Sequence, residues 1–266
     1  MIDIHHHLLP GLDDGAQDLD TSLAMVEMAI ADGITHIACT PHANHRYFYD
    51  PEQIAELLAE LQDAVKKRFG DRIVLGLGCD FHLMFDNLED AQKHPTRYTL
   101  NGHNYLLVEF PDSAISPSTP QTFYQLSLCG MIPIITHPER NPILNRQPER
   151  MYEWLQAGAL IQVTAGSLSG RFGQTAEQAA RWLLDRNWVH FIATDAHNTQ
   201  SRPPLLRAAH DWLTEHYGEN TAKRLCVTNP RAAFFGEPMP AQPEPAAPGD
   251  APQRPSGGFF GRFFKR

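Results

Sequence analysis

The sequence predicts an α/β protein built as a parallel (β/α) barrel, and three observations carry that prediction. Short apolar runs alternate with helical patterns along the chain, the signature of successive βα units. Five of those runs end on a metal-type ligand: 2–4 into His5 and His7, 37–39 into His42, 106–108 into Glu109, 132–136 into His137, and 191–194 into Asp195 and His197. The C-terminal strand ends of such a barrel converge on one rim, so ligands scattered through the sequence can gather in space. The length of 266 residues, 42% hydrophobic, suits the ~250 residues of a barrel folded as one domain.

The first strand is read over 2–4. A helix beginning near Asp20 places Leu23, Val26, Met28 and Ile30 on an apolar face and stops at Gly33. A strand over 34–39 follows. Pro51 and Glu52 open a second helix with Ile54, Leu57, Leu58, Leu61 and Val65 on one stripe, ending near Gly70. The pattern continues with strand 73–77, strand 105–109, helix 120–128, strand 132–136, helix 148–156, strand 160–164, helix 175–186, strand 189–193 and a closing helix over about 204–216. Seven strands result, one short of a regular eight-stranded barrel.

Composition changes after Gly236. Seven prolines between Pro238 and Pro255, mixed with Ala, Gln and Glu, do not supply the apolar surface needed to fold and predict a disordered, extended linker. The terminus then carries Phe259, Phe260, Phe263 and Phe264 beside Arg262, Lys265 and Arg266, a candidate docking peptide for a membrane surface or a partner groove. Three segments are therefore expected: a catalytic barrel over 1–236, a linker over 237–256 and an aromatic, basic peptide over 257–266.

The 31 acids against 22 bases give a net charge of −9, which argues against nucleic acid as a partner. Cys39, Cys79, Cys129 and Cys226 lie far apart with no CxxC, and read as reduced thiols. The start shows no basic leader with a long apolar core, and no stretch reaches the ~18 apolar residues of a membrane span. A cytoplasmic protein is expected, or one held peripherally at the inner face of the membrane.

His5 and His7 follow the first strand, and in extended chain they can share an ion while His6 faces away. Pro10 to Gly15 is a turn carrying Asp13 and Asp14 near the same rim. His36, His45, His82, His94, His103, His190, His210 and His216 are read as ordinary core or surface residues. A donor set of His, Asp and Glu without Cys suits Mn, Fe, Zn or Co better than a thiolate-bound structural zinc. Nine such ligands exceed the needs of one ion, so two or three ions bridged by a carboxylate are implied.

Taken together, Met1 to Gly15 with its His5-His6-His7 and Asp13-Asp14-Gly15, Thr40-Pro41-His42, Glu109-Phe110, His137-Pro138-Glu139-Arg140, Asp195-Ala196-His197 and Ser201-Arg202-Pro203-Pro204 resemble the bacterial PHP-family protein-tyrosine phosphatases associated with capsule and exopolysaccharide synthesis. The resemblance runs from Met1 to about Phe235. It implies a distorted (β/α)7 TIM-like barrel with a trinuclear centre, often supported by manganese. One ion would take His5, His7, Asp80 and Asp195; a second would share Asp80 and add Glu109 and His137; a third would take Asp14, His42 and His197. The family usually has Glu where this chain has Asp80, and a small residue where it has His6.

Such metals lower the pKa of bound water, giving a hydroxide that attacks phosphorus. None of the four cysteines is followed by Arg six positions later, so a phosphocysteine route is disfavoured. Arg140 and Arg202 are the candidate phosphate clamps, because a guanidinium meets phosphate oxygens bidentately. A phenol, with a pKa of about 10, leaves more readily than an alkoxide from a site with no obvious general acid. Tyr47, Phe48 and Tyr49 follow His42 and either pack against the substrate ring or only cover the barrel rim. The expected substrate is phosphotyrosine in a protein, a membrane-associated bacterial tyrosine kinase of polysaccharide export foremost. A small monoester such as histidinol phosphate is the alternative substrate, and a vestigial barrel acting as a binding module is the alternative of another class.

Overall fold

The computed structural model of the chain describes residues 1–250. Among the described residues nine strands form two parallel sheets. One has the order β1-β2-β4, and the other β3-β5-β6-β7-β8-β9. In chain order the strands are β1 (Ile2–His6), β2 (His36–Cys39), β3 (His42–Ala43), β4 (Val74–Leu77), β5 (Asp80–His82), β6 (Tyr105–Glu109), β7 (Ile132–Thr136), β8 (Leu160–Thr164) and β9 (Phe191–Ala193). The helices are α1 (Leu19–Asp32), α2 (Pro51–Phe69), α3 (Phe85–Lys93), α4 (Thr119–Leu128), α5 (Pro142–Arg146), α6 (Pro148–Gln156), α7 (Gln174–Leu184), α8 (Arg207–Tyr217), α9 (Glu219–Lys223) and α10 (Asn229–Phe235).

The seven expected strands become nine because two of them break in the middle. The second is interrupted at Thr40-Pro41, where proline has no N–H to give a ladder. The third is interrupted at Gly78-Cys79, and a side chain at Gly78 would meet Leu100 Cδ2 at 2.6 Å. At each break the chain passes from the smaller sheet to the larger. Hydrogen bonds bridge the gaps, Gly78 N to Cys39 O at 2.8 Å and Asp80 N to Pro41 O at 3.0 Å. The two outer strands β1 and β9 also approach each other. Asp195 N donates to His5 O and His7 N to Ala196 O, both at 2.9 Å, beside an isolated parallel bridge from His6 to Ala196.

Strand alternation splits the apolar residues into two sets. Ile2, Ile4, Tyr105, Leu107, Ile134 and Phe191 pack together between the sheets, closed below by Ala233 and Phe234 of α10. Leu106, Val108, Ile135, Ile161, Val163 and Ile192 face the helices instead. The expected strand over 189–193 starts two residues late. The His190 ring, kept neutral by burial and by Arg224, accepts the Ile161 N–H at 3.1 Å in place of a ladder carbonyl.

α1 is capped by Asp18, whose side chain accepts Thr21 N–H, and stops at Gly33 in the left-handed region. α2 is capped by Asp50, with Ile54, Leu61 and Val65 buried. The periodic reading missed the short helices α3, α5, α9 and α10; in α3 Ala91 is the sole buried residue, Leu88 is partly buried and Phe85 is exposed. Asn87 instead pins it to the strand ends, donating to Ala43 O at 2.8 Å and His82 O at 3.1 Å.

Residues 237–250, expected to be part of a free linker, run without regular structure but hydrogen-bonded along the far end of the strands. Trp188 Nε1 donates to Ala246 O at 2.8 Å, Ala246 N to Arg186 O at 3.0 Å, and the side chains of Gln242 and buried Asn229 exchange hydrogen bonds at 2.9 and 3.0 Å. Proline-rich chain is held here through its carbonyls, the Ala246 N–H and the Gln242 side chain, with Ala246 buried and Met239 packed against the core. The rest of the expected linker, from residue 251, and the aromatic peptide over 257–266 lie outside the described residues. Among the described residues no helix is long and apolar enough to cross a membrane.

Candidate metal centre

All nine candidate ligands come to one rim, at the C-terminal ends of the strands. Each is set there by a local device. His5, next to last in β1, has its Nδ1–H donating to Gln162 Oε1 at 3.0 Å, which turns Nε2 inward. His7 is oriented by Asp13, whose Oδ2 lies 2.7 Å from His7 Nδ1 and also accepts His42 N–H at 3.1 Å. The Asp-Asp turn thus divides its labour: Asp13 positions two histidines, and Asp14 faces the centre, 3.3 Å from His42 Nε2 and 3.5 Å from His197 Nε2. His137 and Asp195 both adopt left-handed backbone, φ 33° and 51°. Such conformations are uncommon for side-chain-bearing residues and cluster at functional sites.

Around the centre, Asp80 Oδ2 lies 3.6 Å from His5 Nε2 and 3.1 Å from His42 Nδ1. Glu109 Oε1 lies 3.6 Å from His137 Nε2, and Asp195 Oδ1 lies 3.5 Å from both His5 Nε2 and His7 Nε2. Arg140 and Arg202 both donate to the other oxygen of Asp195. Several sets offer atoms within 4.8 Å of one another: His7, Asp14, His42 and His197; His5, His7 and Asp80; His5, His137 and Asp195; Asp80, Glu109 and His137.

The donor set fits cations. Asp80 is fully buried and neither of its oxygens accepts a hydrogen bond, since His5 and His42 approach without hydrogen-bond geometry. Buried His42 Nδ1 and His197 Nε2 are likewise without partners. Buried polar atoms are nearly always satisfied, so orphans converging on one point call for a group that accepts several of them at once. Imidazole and carboxylate together suit a divalent transition metal.

Charge in the protein alone is lopsided. Burial disfavours ionised Asp80, but His5 and His42 outweigh it and hold that carboxyl well below the usual range. Burial likewise opposes Asp195, and His5 with Arg202 overcomes it. The His197 and His42 rings hold Asp14 low. Burial would lower His5, yet the Asp195 and Asp80 carboxylates push it up to about 9. Burial and Arg140 lower His137 to about 4; burial and His7 lower His197 to about 4.

Two readings of single residues need correction. His82, taken as an ordinary histidine, stands at the rim with Nε2 2.5 Å from Glu109 Oε2. Its signal was its position two residues after Asp80, on the same strand and the same side. Tyr49, offered as a substrate contact, is 5% exposed in the core, and its hydroxyl donates to Gly78 O and Arg97 O at 3.2 Å. Tyr47 does stand at the rim, stacked on His42 at 5.7 Å, and Phe48 is 85% exposed. His6 is buried with its ring unpartnered and away from the centre, and burial keeps it neutral. Asp3 and Gln162 were missed. Asp3 accepts hydrogen bonds from Thr194 N–H and hydroxyl, tying β1 to the end of β9.

A profile of the family described as capsular polysaccharide synthesis, CpsB/CapC, matches residues 1–234. The chain is 37% identical over 203 residues to the tyrosine-protein phosphatase YwqE of Bacillus subtilis, covering 76% of this chain and 79% of that one. It is 31% identical over 243 residues to the tyrosine-protein phosphatase CpsB of Streptococcus pneumoniae, covering 89% and 99%. A solved structure from the work on YwqE and CpsB, described there as metal-dependent tyrosine phosphatases, superposes with a TM-score of 0.86 at 32% identity, over 93% of this chain and 99% of that one.

Two outcomes follow from the geometry. A side chain at Gly15 would meet His7 O at 2.2 Å and His7 Cβ at 2.5 Å. Gly15→Ala should therefore lower stability by about 1–3 kcal/mol and displace Asp13 and Asp14. Denaturant unfolding and metal content by mass spectrometry would both register it; wild-type values in both would show that the turn moves freely. The second concerns pH. His5, raised to about 9 against an ordinary 6.5, stabilises the metal-stripped fold fully below pH 6.5 and loses that contribution as pH rises through 9. A bound cation takes the proton's place. The melting temperature of stripped protein should fall from pH 6.5 to 9 by more than that of metal-loaded protein; parallel curves would contradict it.

Proposed function

The chain belongs to the CpsB/CapC family of capsular polysaccharide synthesis, and on that premise we propose that it is a metal-dependent phosphatase hydrolysing phosphotyrosine in proteins. The observation that carries this reading is the convergence of two guanidinium groups on Asp195 beside a rim of imidazoles and carboxylates with orphaned, buried donor atoms. In this reading the framework is a distorted (β/α)7 barrel over 1–236, its distortion set by the two strand breaks and its closure by the β1–β9 contacts.

Two or three divalent ions are assigned to the centre, manganese foremost, with iron, zinc or cobalt able to serve. His5, His7, Asp80 and Asp195 would hold one; Asp80, Glu109 and His137 would hold a second; Asp14, His42 and His197 would hold a third. Such ions supply a low-pKa water and neutralise phosphoryl charge when bound. The protein does the rest. Gln162 and Asp13 keep the ring nitrogens of His5 and His7 aimed inward. Arg140 and Arg202 grip the phosphoryl oxygens, and the Phe172 ring, 4.4 Å from the Arg140 guanidinium, backs one of them. Tyr47 and Phe48 flank the entrance where the aryl group of the substrate lies. An aryl leaving group fits, since a phenolate departs with less help from an acid than an alkoxide does.

The physiological target in this reading is a membrane-associated bacterial tyrosine kinase of polysaccharide export, met in the cytoplasm or at the inner face of the membrane. The tail over 257–266 is a candidate for that contact.

The test is phosphate release from a phosphotyrosine peptide by stripped protein resupplied with Mn, Zn, Fe(II), Co or Mg, beside phosphoserine and histidinol phosphate. Metal-dependent release favouring phosphotyrosine is expected; release from histidinol phosphate alone, or none with any ion, would sink the reading. Arg140→Ala and Arg202→Ala should each lower kcat or raise KM by about ten- to a thousandfold, the effect of losing one or two charge-assisted contacts. Unchanged kinetics would place the arginines outside the reaction.

A further inference from the structure

β5 and β6 pair in parallel with Asp80 opposite Leu107, Phe81 opposite Val108 and His82 opposite Glu109. Alternation puts Phe81 into the core at 0% exposure and sends Asp80 and His82 to the other side. His82 and Glu109 are thus neighbours on adjacent strands. The ring nitrogen lies 2.5 Å from Glu109 Oε2, and His42 Nδ1 lies 3.4 Å from the same oxygen. These three side chains offer atoms within 4.8 Å of one another. Glu109 is consequently divided, with Oε1 towards His137 and Oε2 towards His82.

Asp80 is too short to follow. Its carboxylate stays fully buried, while His82, one side-chain position further out, is 14% exposed beside Glu109 at 20%. The donor nearest the open side of Glu109 is therefore an imidazole on the same strand as Asp80.

We propose that His82 is a nitrogen ligand of the metal centre at its Glu109 edge, and that it raises the affinity of that edge for zinc or cobalt relative to manganese. The proposal rests on the metal centre of the preceding subsection. Imidazole is a better donor to zinc and cobalt than to manganese, which prefers oxygen, so one added nitrogen weights the site towards the former.

The experiment compares full-length wild type, His82→Ala and His82→Gln by chelator competition with Zn and with Mn, together with bound metal counted by mass spectrometry. Glutamine can still donate a hydrogen bond to Glu109 but is a poor zinc ligand. Both variants are expected to bind zinc at one site about 100-fold or more weakly, above the range of a lost supporting hydrogen bond, and to lose less for manganese. Wild-type affinity and metal content in His82→Ala would overturn the proposal. Full recovery in His82→Gln would overturn it too, leaving His82 as a hydrogen-bonding support. Equal losses for both ions would remove the preference. A wild type that binds no ion would instead fail the metal-dependent reading itself, before any variant is compared.

Discussion

Asp195 is the carboxylate on which the rest of the molecule converges. Its Oδ1 faces His5, His7 and His197, its Oδ2 takes both Arg140 and Arg202, and its backbone N–H joins the end of β9 to β1 through His5 O. A carboxylate this deeply buried persists as an anion only among positive partners. The approach of two arginines and of the His5 imidazole is therefore a requirement of one charge. The left-handed backbone at Asp195 belongs to the same constraint, because the chain must turn there to point the side chain at the rim.

The two broken strands serve the centre in a different way. An unbroken second strand would carry His42 along the sheet, and an unbroken third would leave Asp80 in a regular ladder. At Thr40-Pro41 and at Gly78-Cys79 each chain shifts to the larger sheet, where His42 pairs with Asp80 in register. The irregularity brings a candidate ligand from each strand to 3.1 Å from the other. The proline and the close packing against Leu100 that produce it lie directly beside the residues they place.

Much of this was legible beforehand. A strand reads as an apolar run, and a ligand at its C-terminal end reads as a rim residue, so His5, His7, His42, Glu109, His137, Asp195 and His197 stood out by position. Asp14, Asp80 and the arginines were marked by resemblance to a family to which the chain belongs. What escaped was of three kinds. α3 is short, with Ala91 alone fully buried, and is held by Asn87, a polar anchor that periodicity does not register. Residues 237–250 look like a tether by composition, yet Trp188, Arg186 and Asn229 supply partners that exist only after folding. Gln162 and Asp3 act on residues of other strands with no local spacing to link them, and His82 was marked only by its place two residues after Asp80.

The sequence by itself determined the alternation of seven apolar runs with the longer amphipathic helices and the chemical type of the donors, because those follow from period, charge and side-chain identity within a few residues. Tertiary structure alone decided which oxygen of Asp195 meets the arginines, which nitrogen of each imidazole faces inward, and that His82 joins Glu109 while Tyr49 leaves for the core. Those outcomes depend on contacts across strand gaps and sheet breaks, whose register is fixed only when the whole set of buried charges and apolar faces is satisfied together.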